Sequence, residues 1–368
     1  MREQVCCSIC GAVLEEGEVR VFGTQTMCED CFEEYTTVCE CCHERVWRSD
    51  TESDNYTTVC GACYDDYFTR CENCDTIIRR EDAIYDIDDD YPYCDECYDK
   101  LDEKPIKPYN YKPEPIFYGS GDLFYGVELE IDKGGEYNAS AECLMDIVNK
   151  DSVHMYCKHD GSINCGFEMV SHPMTLDYHL NNMSWLDVFN IAVSLGYRSH
   201  NTNTCGLHIH VSRSAFGDTH EKQEDAISRI VYFVEAHWNE LLKFSRRTVG
   251  SIMHWASRYG IADTAKLTYD KAKKKCLNRY VAVNLNNTHT IEFRIFRGTL
   301  RYKTFIAALQ LVDEICRLAV IYDDKTFEGM SWSDFVVSIS KTDKPELIDY
   351  LKSKRLYVNE EITDGEEM

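Results

Sequence analysis

The sequence has no apolar run of about 18 residues, so no membrane-spanning helix is expected. Its first ten residues, MREQVCCSIC, lack the apolar core of a secretory leader. A cytoplasmic location is the expectation, and in that reducing compartment cysteines stay thiols. Positive charge is scarce: 39 Lys+Arg stand against 64 Asp+Glu, a formal net charge of −25. The deficit is concentrated in residues 1–104, where 9 Lys+Arg face 28 Asp+Glu, leaving −19 there and −6 on the rest of the chain. Such a segment repels phosphate, so nucleic acid is not an expected partner. Proline is also sparse, and four of the seven prolines fall at 105–115. That stretch, within KPIKPYNYKPEPIFYG, reads as an extended linker over 105–118.

What is abundant is cysteine, with 20 in 368 residues. Fourteen lie between Cys6 and Cys97, and twelve of these form six CxxC pairs: Cys7/Cys10, Cys28/Cys31, Cys39/Cys42, Cys60/Cys63, Cys71/Cys74 and Cys94/Cys97. Units begin at 7, 39 and 71, a period of 32 residues. Two knuckles supply four sulfurs, which suits tetrahedral zinc, so about three zinc ions are expected. The segments between knuckles alternate like hairpins, and each second knuckle runs into a helix-like stretch: CEDCFEEYT, CGACYDDYF, CDECYDKLDEK. The order knuckle, hairpin, knuckle, helix resembles treble-clef or LIM-type fingers. The units, about 7–38, 39–70 and 71–104, are too small to fold without metal. A disulfide framework is the competing reading, disfavoured in a reducing compartment. Cys6 and Cys41 are expected as spare buried thiols, and His43 as a surface residue.

From Gly119 strand-like and helix-like segments mix without strict βαβ alternation, which predicts an α+β domain with a largely antiparallel sheet over 119–322. A helical tail at 323–368 ends in the acidic EEITDGEEM. Three strands put ionisable residues on one face, since i and i+2 point the same way. These are Glu128 and Glu130 in FYGVELEID, His208 and His210 in GLHIHVS, and Glu292 and Arg294 in TIEFRIFRG. The opposite face is apolar: Val127, Leu129 and Ile131; Leu207, Ile209 and Val211; Ile291, Phe293 and Ile295. Glu168 in GFEMV adds a fourth carboxylate. Alone, Glu128/Glu130 fits a solvated strand face, His208/His210 fits hydrogen-bonded histidines and Glu292/Arg294 fits a surface cross-strand charge pattern; three together point to a polar cleft. So many carboxylates require cations, and the donor types suit Mg²⁺ or Mn²⁺. Nearby arginines suit phosphate.

Gly126–Glu130, Gly166–Ser171, Gly206–Ser212 and Thr290–Leu300 resemble the ordered motifs of the amidoligase family, which is related to glutamine synthetase and glutamate–cysteine ligase. GLHIHVS and IEFRIFRG are the most distinctive. The resemblance implies a glutamine synthetase-like domain that uses ATP and two or three divalent metals. Glu128 would hold one metal with His208 and Glu292, and Glu130 another with Glu168. His210 would approach the ATP phosphates, and Arg294 the transferring phosphate or the substrate carboxylate. Arg297 and Arg279 would accompany Arg294, with Arg246 and Arg247 as further clamps. The implied reaction joins a small-molecule or peptide carboxylate to an amine through an acyl phosphate, while the zinc array recruits a protein partner or substrate. Two other readings stay open: a non-enzymatic zinc-dependent adaptor on a ligase-like scaffold, and a metal-dependent hydrolase.

Overall fold

The computed structural model describes residues 5–15, 17–86, 89–99, 104–202, 204–274 and 279–357. The acidic end EEITDGEEM and residues 100–103 of the helix-like stretch CDECYDKLDEK lie outside them. The chain divides into two compact units, Met1–Lys104 and Pro105–Met368.

In the first unit each knuckle closes a turn. Gly11, His43 and Asp75, each one residue past a first knuckle, take left-handed backbone (φ 76°, 61° and 60°). Their amides donate back to the carbonyls of Cys7, Cys39 and Cys71 at 2.9 Å. His43 is therefore an exposed turn residue. Second knuckles open the helices Glu29–Tyr35, Gly61–Tyr67 and Asp95–Asp99. The strand after the first helix, Thr36–Val38, pairs with Arg45–Trp47 of the next finger. Trp47 also packs on Phe22, with ring centroids 5.1 Å apart. Neighbouring fingers thus share apolar contacts, which compensates for their small individual cores. Cys41 is half-buried beside the middle finger's core, but Cys6 is exposed, so only one spare thiol is sheltered.

The second unit is built on a seven-stranded sheet. Its strands are β1 (Ile106–Lys107), β2 (Tyr125–Ile131), β3 (Met155–Lys158), β4 (Phe167–Ser171), β5 (Gly206–Ser212), β6 (Val283–Asn284) and β7 (Thr290–Arg297). The spatial order is β1-β3-β4-β2-β5-β7-β6, and every pair is antiparallel except β1–β3. The proline-rich stretch thus supplies the edge strand β1. Val127, Leu129, Ile209, Ile291 and Phe293 are at most 1% exposed and share one core with helices His220–Ala236 and Tyr302–Ile321. Three further helices, Asp324–Glu328, Trp332–Ser338 and Pro345–Ser353, add Phe327, Phe335 and Leu351 to that core. Buried Lys344 fastens them, with Nζ 2.5 Å from both Asp313 and Glu314.

One irregularity matters for the site. Leu207 faces Phe296 and Ile209 faces Phe293, so two residues of β7, Arg294 and Ile295, oppose one of β5, His208. This bulge shifts the phase of β7. Arg297, opposite Gly206, therefore joins Arg294 on the polar face despite a spacing of three.

Candidate active site

The polar face of the sheet brings six of the expected residues together. Across β2 and β5, Glu128 stands opposite His208; across β5 and β7, His210 stands opposite Glu292; across β2 and β4, Glu130 stands opposite Glu168. Cross-strand neighbours of this kind sit about 5 Å apart at Cβ, so the side chains converge. His208 Nδ1 lies 3.4 Å from Glu128 Oε2 and 3.5 Å from Glu292 Oε1. His208 Nε2 lies 4.0 Å from Glu130 Oε1. His210 Nε2 lies 3.2 Å from Glu128 Oε1 and 3.9 Å from Glu292 Oε1. Arg294 Nη1 donates to Glu292, whose other oxygen accepts from Asn284 Nδ2 at 2.8 Å.

Glu130, Glu168, His208 and Glu292 are each at most 5% exposed, and burying carboxylates so close together sets their charges against one another. Burial, reinforced by the Glu128 charge, pushes Glu168 well above the usual carboxylate range. Burial also raises Glu130, against the pull of His208. For Glu128 burial is outweighed by His210 and by hydrogen bonds from both imidazoles, which hold it well below that range. Glu292 is likewise lowered, burial losing to His210, His208 and Arg294. Burial disfavours the His210 imidazolium, yet Glu128 and Glu292 together raise its pKa.

The donor geometry fits a divalent cation. Ligand atoms of Glu128, His210 and Glu292 lie within 4.8 Å of one another, as do those of Glu128, Glu168 and His208. An octahedral ion with bonds of about 2.1 Å sets its donors about 3–4 Å apart. The chemistry agrees: hard carboxylate oxygens converge with imidazole nitrogen. Among the described residues, Arg294 Nε is buried without a hydrogen-bond partner, while His210 Nε2 sits against the carboxylates of Glu128 and Glu292. In the first unit the sulfurs of Cys7, Cys10, Cys28 and Cys31 lie within the same 4.8 Å limit, as do the Cys39/Cys42/Cys60/Cys63 and Cys71/Cys74/Cys94/Cys97 sets. Cys10–Cys28 and Cys74–Cys94 are each 3.8 Å apart at sulfur. A tetrahedron of Zn–S bonds of about 2.3 Å has edges of about 3.8 Å.

The five other expected arginine positions separate. Arg247 belongs to the cleft, although it lies after the helix Trp238–Ser245. Its Nη2 packs over Gly206, where an added Cβ would come within 2.5 Å. Burial lowers Arg247 to about 10, with Glu130 opposing and Arg294 and Arg297 assisting. Arg294 is the second cleft cation, and Arg297 donates outward to Asn201 Oδ1 at 2.9 Å. Arg246 is exposed. Arg279 is one ring removed from the carboxylates: it stacks on Tyr280, over whose ring Arg294 also lies, and donates to Tyr109 at 2.9 Å.

Two functional candidates escape a reading of the sequence. Lys158 stands opposite Glu168, with Nζ 3.3 Å from its carboxylate. Alternation of Tyr156 and Lys158 in β3 carries the signal, but the cross-strand partner is invisible without register. Asn284 reads only as one residue of a strand; its contact with Glu292 comes from the β6–β7 pairing.

Residues 144–316 match the family model described as "Putative amidoligase enzyme", the family that the strand motifs resemble. The match includes Glu168, His208, His210, Glu292 and Arg294, and begins after the strand bearing Glu128 and Glu130. No curated protein sequence matches the chain. Among solved structures it is similar to a bifunctional glutathione synthetase from Pasteurella multocida (10% identity, 63% of this chain and 46% of that one, TM-score 0.37). It is also similar to apo GmaS without ligand (13% identity, 64% of this chain and 63% of that one, TM-score 0.33). The aligned region thus spans less than two thirds of either structure. Among the described residues no helix is long and apolar enough to cross a membrane.

Proposed function

We propose that the second unit is an ATP- and Mg²⁺-dependent carboxylate–amine ligase and that the zinc array recruits its substrate or a protein partner, in the cytoplasm. The observation that carries this reading is the buried carboxylate–imidazole cluster with Arg294 and Arg247 at its edge, all of it but Glu128 and Glu130 lying within an amidoligase match. Carboxylates with imidazole alone would suit many metal enzymes; guanidinium groups beside them suit a triphosphate. Glu128, Glu130, Glu168, His208 and Glu292 would hold magnesium, which would supply charge neutralisation for the triphosphate. Glu292 orients Arg294 through its Nη1, so that the unpartnered Nε is available to an incoming anion. Arg247, kept in place by the missing side chain of Gly206, adds a second cation. His210, on the same face as Glu128 and Glu292, would approach a phosphate oxygen.

In the reaction a carboxylate oxygen attacks the γ-phosphorus, the bond to the ADP oxygen breaks, and an acyl phosphate forms. The amine nitrogen then attacks the acyl carbon, inorganic phosphate leaves, and the nitrogen loses a proton. No nucleophilic side chain takes part. The first unit's exposed tyrosines, Tyr35, Tyr56 and Tyr67, on an acidic surface suit a peptide partner.

Calorimetric titration of Mg-ATP tests the reading. Glu130→Gln is expected to weaken binding and abolish turnover, and Arg294→Ala to retain metal while losing phosphoryl transfer. Unchanged Mg-ATP affinity in Glu130→Gln would remove the metal cleft and leave an adaptor scaffold. Turnover of an amide or ester without ATP would identify a hydrolase.

A further inference from the structure

The unit that carries the cleft is acidic overall, yet its arginines near the cleft mouth have gathered without carboxylates. Arg229, Arg258 and Arg317 elsewhere in the unit are each ion-paired, with Asp324, Glu235 and Glu314. Among the described residues Arg246, Arg301, Arg297 and Lys354 have no carboxylate partner within 4.0 Å. Arg246 caps the helix Trp238–Ser245 in left-handed backbone (φ 60°), and with Arg297, Thr299 and Tyr350 it lines a crevice. Lys354, at the C-terminus of the helix Pro345–Ser353, leans on Tyr350, its Nζ 5.1 Å from the ring centroid. Burial, then Arg246 and Arg301, lower the pKa of Lys354. His200 is lowered too, by burial and then by Arg297, Arg198 and Arg246.

A cluster of like charges repels itself unless an anion joins it. Arg297 is common to rim and cleft: it lies on the polar face through the β7 bulge and also lines the crevice with Arg246. Inside the cleft, the ligase reading gives Arg294 and Arg247 to the triphosphate. The crevice lined by Arg246 contains none of the carboxylates or imidazoles of the cluster. Planar guanidinium forks match carboxylates in two-point contacts.

We infer that the carboxylate substrate is an oligo-anion of the acidic-peptide class, whose additional carboxylates are held outside the cleft by Arg246, Arg301 and Lys354. This rests on the ligase reading for the reacting carboxylate, but the rim can be tested separately. Fluorescein-labelled hexaglutamate is titrated into the full chain and into the Arg246→Ala/Arg301→Ala variant, with free glutamate and tripolyphosphate as competitors and Mg-ATP titrated in parallel. Hexaglutamate should bind at least about ten-fold more tightly than glutamate, since several rim contacts act together. The variant should weaken hexaglutamate by about ten-fold at an unchanged melting temperature, leaving tripolyphosphate competition as in the parent. Equal hexaglutamate affinity in parent and variant would overturn the inference, as would a variant that weakens tripolyphosphate in its place. Intact Mg-ATP binding without hexaglutamate binding sinks the rim alone. Hexaglutamate binding without Mg-ATP binding sinks the ligase reading and keeps the oligo-anion site.

Discussion

Two glycines of the second unit allow the same chemical change, a single methyl group, to separate folding from chemistry. At Gly166 an added Cβ would stand 1.9 Å from the Ile131 carbonyl oxygen and 2.7 Å from Asp132 Cα. Both are backbone atoms of the strand paired with β4 or of the residue that follows it, and ordinary contact needs about 3.5 Å. Gly166→Ala must therefore push these central strands apart by about 1.5 Å, at a cost of about 3 kcal/mol or more. At Gly206 the Cβ would meet Arg247 Nη2 at 2.5 Å and His208 Nε2 at 2.9 Å, both side-chain atoms. The guanidinium can swing away by about 1 Å with a stability change of under about 1 kcal/mol. A displacement of that size at reacting groups lowers turnover about 100-fold. Urea unfolding followed by tryptophan fluorescence, run beside an ATP-consumption assay, reads both quantities. Gly166→Ala should unfold early, while Gly206→Ala should unfold like the parent and turn over slowly. Full turnover in Gly206→Ala would refute the placement of Arg247 at the reacting groups; a near-parent midpoint for Gly166→Ala would refute the strand packing.

Elemental analysis of reduced protein should find three zinc ions per chain, one for each Cys₄ set, and Cys60→Ser should lose at least the middle one. Absence of zinc would refute the array. Because Phe68 and Ile77 pack in the middle finger's core, loosening of the neighbouring finger should accompany that loss, seen as faster amide exchange at Thr69–Ile78. Stability of the second unit should fall on mild acidification through His179. Burial, opposed by its bond to the Tyr125 carbonyl, lowers His179 to about 4 from an ordinary 6.5. Trp185 donates to its Nδ1 at 3.2 Å, so Nε2 carries the proton and donates to Tyr125. The unfolded chain then binds more protons below pH 6.5, and about 3 kcal/mol is lost between pH 6.5 and 4. Urea midpoints across that range should slope in the parent and flatten in His179→Gln; equal slopes would exclude His179 as the source.

The features legible in the sequence are those written locally. CxxC spacing locates the three sulfur sets because a knuckle is a four-residue device, and period-2 alternation marks the polar and apolar faces of β2, β5 and β7. What depends on register stays hidden. The β7 bulge, which gathers Arg294 and Arg297 on one face, leaves no mark in IEFRIFRG. Lys158 meets Glu168 only because β3 pairs with β4 in that alignment. The stretch EDAISRIVYFVEAHWNELLKF, which reads as one long helix, is two, with His237 between Ala236 and Trp238 at the join. Continuous apolar periodicity cannot reveal that break, because both halves face the same core. Arg247 is visible in the sequence only as one of a pair of arginines after a helix; its seat over Gly206 is a tertiary contact between segments 41 positions apart.

The central claim is ATP-driven amide formation at the Glu128–Glu292 cleft. It is tested most directly by incubating the zinc-loaded full chain with ATP, pooled carboxylates including acidic peptides, and pooled amines, with and without Mg²⁺, followed by mass analysis of products. The account predicts Mg²⁺-dependent release of ADP and phosphate, with a product lighter by one water than the sum of its two substrates, and neither in Glu130→Gln. ADP release that persists in Glu130→Gln, or no condensed product with any pair while Mg-ATP binds, would contradict it.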